Sequence, residues 1–173
     1  MDPRTVGERA PVQNTATVDR KSDRELIVSR TINGPARIVF EAWTRPELLE
    51  RWWTPKSFPI SLRSCEMDVR VGGGYRLVFE YEGSTMEFFG RYLEVTPHSR
   101  LVWTNDEGDG GKTITTVTFE ETDGKTRLAV HDLYPSKEAL DAAVASGSTS
   151  GMPEALAQLD ELVLGLSASA QES

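Results

Sequence analysis

Two histidines and one cysteine are the only side chains of their kind in this sequence, and they limit the chemistry it can hold. An imidazole-based metal site needs more ligands than His98 and His131 can supply, and a Ser-His-Asp triad would have to use one of the two. His98 follows Pro97 in a turn and is expected in water. His131 stands beside Asp132 near the end of a strand and is the more interesting, yet a lone histidine in such a place is most often structural. Cys65 has no partner for an internal disulfide and reads as a small apolar side chain filling a gap. Asn105-x-Glu107-x-Asp109-Gly110 copies the first half of a calcium loop, but the twelfth position is Thr116 in a strand rather than a bidentate glutamate. An acidic hairpin is expected instead. Gly72-Gly73-Gly74 lacks the lysine and the helix of a phosphate loop, and Asp68 with Arg70 is expected to brace that turn. No pair of carboxylates falls on a plausible pocket face, so no catalytic residue, metal or cofactor is assigned.

What the chain holds in quantity is aromatic rings. Trp43, Trp52, Trp53, Phe58, Tyr75, Phe79, Tyr81, Phe88, Trp103 and Phe119 are many large rings for 173 residues, enough either to fill a solid core or to wall an apolar cavity. The hydroxyls of Tyr75, Tyr81 and Tyr92 could serve a polar group there or point to water. Nineteen basic against 27 acidic residues give a net charge of −8, which disfavours nucleic acid and anionic membranes as partners. No long apolar run or signal-type start is present, so a cytoplasmic protein is expected.

The elements that must position these rings follow from periodicity. Residues 1–24 carry mixed charge and few large apolar side chains, and are expected to be a disordered, dispensable tail. Glu25–Ile32 is a first strand, ended by Asn33-Gly34-Pro35. Ala36, Val39, Phe40 and Trp43 then mark one buried helix face. Thr44-x-x-Glu47 has capping-box spacing for a second short helix carrying Leu48, Leu49, Trp52 and Trp53 until Pro55. Adjacent tryptophans cannot both face the core, so Trp53 is expected toward the loop. From Ile60 to Tyr134 the pattern alternates between turns, giving six further strands, with Asp123-Gly124 as a strong hairpin signal. Ser136 caps a helix that runs through Ala145 and is interrupted by Gly147. A last helix starts near Gly151 and runs to Leu166, with residues 168–173 disordered beyond it. Its apolar stripe is Met152, Leu156, Leu159, Leu162, Val163 and Leu166, with Gln158, Asp160 and Glu161 off the stripe.

This order resembles the helix-grip arrangement of the START-like or SRPBCC superfamily, and within it the AHSA-type branch, homologues of the activator of heat-shock protein ATPase. The resemblance is carried by Arg30, Pro35, Phe40-Glu-Ala-Trp-Thr44, Pro46-Glu47 and Trp52-Trp53. It continues in Asp68-x-Arg70-x-Gly72-Gly73, Gly90-x-Tyr92-x-Glu94-Val95-x-Pro97, Leu101-Val102-Trp103-Thr104, Val117-Thr118-Phe119 and Thr126-Arg127-Leu128. It covers residues 25–166 and implies an α+β fold in which a seven-stranded antiparallel sheet wraps a long C-terminal helix, over residues 25–167.

The resemblance further implies an apolar cavity between sheet and helix, binding a hydrophobic or amphipathic small molecule. The side chains expected to line it are Trp43, Trp53, Phe58, Tyr75, Leu77, Phe79, Phe88, Trp103, Val117, His131, Met152, Leu156 and Leu159, with the mouth near Trp53. Two other uses of the scaffold are weighed. One is a polyketide-cyclase-like enzyme using the same cavity, favoured only if tyrosines, His131 or Asp132 converge on it. The other is a protein-interaction domain stimulating a chaperone ATPase, with a role in stress response. A monomer or weak dimer is expected.

Overall fold

Alternating side chains from Glu25 onward pair into one antiparallel sheet, and the computed structural model describes residues 16–106, 112–146 and 151–172 of it and its helices. The strands are β1 (Thr17–Arg20), β2 (Glu25–Ile32), β3 (Ser61–Met67), β4 (Gly74–Tyr81), β5 (Ser84–Thr96), β6 (Arg100–Asn105), β7 (Thr113–Thr122) and β8 (Lys125–Leu133). They lie in the order β1-β2-β8-β7-β6-β5-β4-β3. Helices α1 (Ala36–Thr44) and α2 (Pro46–Leu49) separate β2 from β3, while α3 (Lys137–Ser146) and α4 (Gly151–Glu172) follow the sheet. This is the α+β helix-grip architecture. No helix among the described residues is long and apolar enough to cross a membrane.

Four expectations are corrected. The sheet has eight strands, because Thr17–Arg20 adds an edge to β2 in register Thr17↔Ser29 through Arg20↔Leu26. That strand buries no side chain, which is why apolar patterning leaves it in the tail. Helix α4 runs on to Glu172 rather than ending near Leu166. The capping box does not form: Thr44 still belongs to α1, its hydroxyl donates back to the Phe40 carbonyl at 2.9 Å, and Arg45 takes the cap position without a side-chain bond. Helix α2 accordingly stops at Leu49, although Trp53 N–H still reaches the Leu49 carbonyl at 3.0 Å. The acidic hairpin at Glu107–Gly110, the break at Gly147 and residues 1–15 lie outside the described residues.

Asp160 is the fourth correction. Placed off the apolar stripe by helical spacing, it is nevertheless 5% exposed and faces the turn after β2. Its carboxylate accepts the Asn33 backbone N–H at 2.8 Å, the Asn33 side-chain amide at 3.1 and 3.2 Å, and an Arg30 guanidinium N–H at 3.3 Å. One turn on, Val163 lies so close to Gly34 that a Cβ there would sit 2.3 Å from its methyl group. Glycine is thus required by the approach of helix and turn. Helix α4 therefore packs on β2 and α1, leaving its N-terminal end to span the strands on the other side of the sheet.

The strand register divides the inner face into rows. One row, Val28, Val130, Val117, Leu101 and Val95, crosses β2, β8, β7, β6 and β5 and is wholly aliphatic. With Leu128, Phe119, Phe40, Leu156, Leu159 and Val163 it belongs to the close-packed core. Leu159 has no exposed surface, so Leu159→Ala should cost about 2–5 kcal/mol in urea unfolding. Removing the exposed Leu164 side chain in the same way should cost under about 0.5 kcal/mol. Asp160→Ala, which strands a buried guanidinium, should cost about 3 kcal/mol, and a loss below about 1 kcal/mol would show that the clamp is not structural.

Candidate functional site

The next row toward the strand ends is of a different kind. Leu26, Asp132, Thr115, Trp103 and Tyr92 cross the same five strands in register. This row is part of the boundary of an apolar cavity of about 440 Å³, with Leu26, Asp132, Trp103 and Tyr92 among its walls. The roof is the loop after α2, with Trp53, Thr54, Pro55, Phe58 and Ile60, and the start of α4, with Gly151, Met152 and Ala155. Gln158 ties roof to helix, donating to the Trp52 and Thr54 carbonyls at 2.9 Å and accepting the Lys56 N–H at 2.9 Å. Glu154 accepts the Ser57 N–H at 2.9 Å and its hydroxyl as well, and these two bonds hold the Glu154 carboxyl below its ordinary value. Gly151 leaves room for the loop, since a Cβ there would meet Phe58 and Pro55 at 3.1 Å.

Nine of the thirteen residues expected at the cavity line it: Trp43, Trp53, Phe58, Tyr75, Leu77, Phe79, Phe88, Trp103 and Met152. Four do not. Val117 lies in the aliphatic row between Leu101 and Val130, with no exposed surface. Leu156 and Leu159 also have none, because the stripe that meets the core is rotated from the one that meets the cavity, where Met152 and Ala155 stand. His131 is on the outer face of β8, where its Nε2 is 2.8 Å from a Glu25 carboxylate oxygen. The bond to His131 is the main cause that lowers the Glu25 carboxyl from its ordinary value.

The adjacent tryptophans divide as expected. Trp52 has no exposed surface and its indole donates to the Ala42 carbonyl at 3.0 Å, whereas Trp53 is half-buried and walls the cavity. Trp43 meets both edge to face, with centroids 4.7 and 5.7 Å away. The most exposed lining residues are Met86 and Phe88, at 36% and 37%. The cavity thus opens along the β4–β5 hairpin as well as beside the Trp53 loop. A larger concavity of about 700 Å³ lies between Glu66, Arg76, Glu87 and Arg91. It is shallow and open to solvent, and its central charges are paired, Arg76 with Glu87. Enclosure and apolar walls favour the smaller cavity as the binding site.

Sequence reasoning passed over a chain of polar groups at the cavity. The Tyr75 hydroxyl donates toward the Asn105 side-chain oxygen at 2.8 Å and the Thr104 carbonyl at 2.9 Å. Asn105 Nδ2 donates to the Thr115 hydroxyl at 3.0 Å, and that hydroxyl bonds Asp132 Oδ1 at 2.6 Å. In that bond the Thr115 hydroxyl donates and Oδ1 accepts. Asp132 is deep in the protein yet keeps accessible surface, because the cavity reaches it. Burial raises its carboxyl above the ordinary value of 3.8, against the opposing pull of the Thr115 bond and the His131 charge. Burial, and then the neighbouring Asp132, pushes the Tyr134 hydroxyl up to about 12, and burial also raises Tyr92. The Trp43 indole N–H and the Thr54 hydroxyl are buried with no hydrogen-bond partner among the described residues. An unpaired buried donor costs about 1–3 kcal/mol unless something else satisfies it. The signal for Asp132 was present in the sequence: it stands two residues beyond Val130, on the inward face of an alternating strand, and His131 does not.

A curved sheet gripping one helix, with an enclosed aromatic cavity and a polar chain at one side, defines a START-like domain. The chain belongs to the family described as Activator of Hsp90 ATPase homolog 1-like protein, whose model matches residues 33–164. Similar solved structures include a protein from Rhodobacter sphaeroides, 28% identical with a TM-score of 0.80, covering 87% of this chain and 99% of that one. A protein from Nitrosomonas europaea is 27% identical with a TM-score of 0.76, covering 86% and 99%. An AHSA1-like protein from Aeromonas hydrophila, 19% identical over 81% of this chain and 93% of that one, shares the fold with a TM-score of 0.64. No curated protein matches the chain.

The raised Asp132 carboxyl gives a pH dependence whose sign is fixed. The folded state holds this proton more tightly than the unfolded chain does, so the contribution is fully present below about pH 3.8 and is lost as pH rises through the folded value. Asp132→Asn cannot ionise. Its Tm minus that of the wild type should therefore grow as pH rises from about 4 to about 7, read by circular dichroism. A difference that stays constant would mean that Asp132 has no raised value.

Proposed function

We propose that the protein binds a hydrophobic or amphipathic small molecule in the cavity between the sheet and α4. The carrying observation is the cavity of about 440 Å³ walled by Trp, Tyr, Phe, Leu and Met side chains, with Tyr75, Asn105 and Asp132 gathered at one side. Apolar walls with a few convergent polar groups suit burial of most of a small ligand and orientation of one end of it.

An apolar dye titrated into the native protein should change tryptophan fluorescence saturably, because Trp43, Trp53 and Trp103 all line the cavity. Trp53→Ala should weaken this response more than Trp43→Ala after correction for lost stability. Ala155→Phe should weaken binding about tenfold or more by filling the space, with a two-state melt retained. Absence of saturable dye binding in the native state would remove the proposal.

A second reading, enzymatic use of the cavity in the manner of a polyketide cyclase, is favoured by one observation. Asp132 and Tyr75, Tyr92 and Tyr134 line the same space, and Asp132 has the raised value of a general acid. Holding a flexible chain bent against such a group would lower the entropic part of a cyclisation barrier. The family's description brings a third use, stimulation of a chaperone ATPase, which a direct ATPase assay with and without the protein would test.

A further inference from the structure

We propose that the cavity selects ligands carrying a protonated amine, an ammonium group that pairs with the Asp132 carboxylate, and rejects apolar carboxylates. The inference rests on the ligand-binding reading above and assigns the chemistry of the ligand's polar end. Three observations support it. Among the described residues, no lysine, arginine or histidine lines the cavity, and Asp132 is its only acidic one. The residues packed around it repeat this one-sidedness: Leu26 on β2 and Thr115 on β7 are its register partners, and Tyr134 is two residues on. The nearest histidine, His131, points to the other face and is paired with Glu25.

The hydrogen-bond direction completes the argument. Asn105 donates to Thr115 and Thr115 donates to Asp132 Oδ1, so one oxygen is fixed as an acceptor and the other, Oδ2, has no partner among the described residues. No basic side chain among the described residues of the lining offers the carboxyl a cation, and burial favours its neutral form. A ligand ammonium supplies that cation inside walls of low polarity, where a charge pair is far stronger than in water. The aromatic walls also tolerate a cation better than an anion, because ring faces are negative.

The test uses three probes with one apolar body: decylamine, decanol and decanoate, each displacing the apolar dye from the full chain at neutral pH. Decylamine should bind about tenfold or more tightly than decanol, and decanoate more weakly than both. The net charge of −8 attracts any amine to the surface, a contribution that Asp132→Asn leaves almost intact. That variant should lose the preference for decylamine over decanol. Decanoate binding as well as decylamine, or an amine preference that survives in Asp132→Asn, would overturn the inference while leaving the cavity reading in place. If none of the three displaces the dye or binds saturably by calorimetry, both fall. If the variant folds poorly, the wild-type ranking repeated at about 1 M salt decides the matter, because salt screens attraction to the surface and leaves a buried pair nearly intact: a preference for decylamine that persists supports the inference, and one that vanishes overturns it.

Discussion

Everything about the cavity depends on where α4 is held, and one buried carboxylate holds it. Asp160 takes hydrogen bonds from the Asn33 backbone, the Asn33 side chain and Arg30, so the helix is fixed in height and rotation against the turn that leaves β2. Hydrophobic contact alone is non-directional and would let such a helix slide or roll. A charge that must keep its partners to avoid a desolvation cost does not permit that. With Val163 seated on Gly34 and Leu159 on the core, Met152 and Ala155 are turned toward the open strands.

The cavity is then a consequence of geometry rather than of poor packing. A single helix about 10 Å wide cannot cover eight twisted strands. Helix α4 closes on β2 and α1, and only its start, with Met152 and Ala155, helps to wall the space over the inward residues Leu77, Phe79 and Phe88 of β4 and β5. The loop from Thr54 to Ile60 roofs part of that gap. It is held by Gln158 and Glu154, two polar side chains of α4 outside the apolar stripe. The roof is thus fastened by hydrogen bonds at the surface, while the floor is fixed by the strand ladder.

Most of the fold was legible because it rests on periodicities the side chains state openly: alternation for seven of the strands, the Ala36–Trp43 stripe for α1, and Pro153 near the start of α4. What escaped was held by the backbone or by polar groups. Strand β1 buries nothing and so has no apolar signature. Thr44 fits a capping box by spacing, but its hydroxyl found the Phe40 carbonyl first. Asp160 reads as a solvent residue until a backbone N–H from a distant turn is placed against it. At the cavity the rings were legible as a set, whereas the choice between Leu156 and Ala155, or His131 and Asp132, turned on a rotation or a register that composition does not carry. The histidine drew attention by residue type. Strand alternation, applied from Val130, selects the aspartate.

The pairing of β2 with β8 joins the two ends of the folded chain, with Ile27 opposite His131 and Ile32 opposite Thr126. A polypeptide emerging from the ribosome can fold α1 and the β1–β2 and β4–β5 hairpins from neighbours in sequence, but the other edge of β2 waits for a partner roughly a hundred residues later, and the Asp160 clamp waits longer still. Contacts so far apart make closure the late and slow step of folding. During synthesis the rings of β4, β5 and β6 therefore stand without α4 until that helix clears the exit tunnel, so the nascent chain passes through a stage in which the future wall of its cavity is adhesive apolar surface.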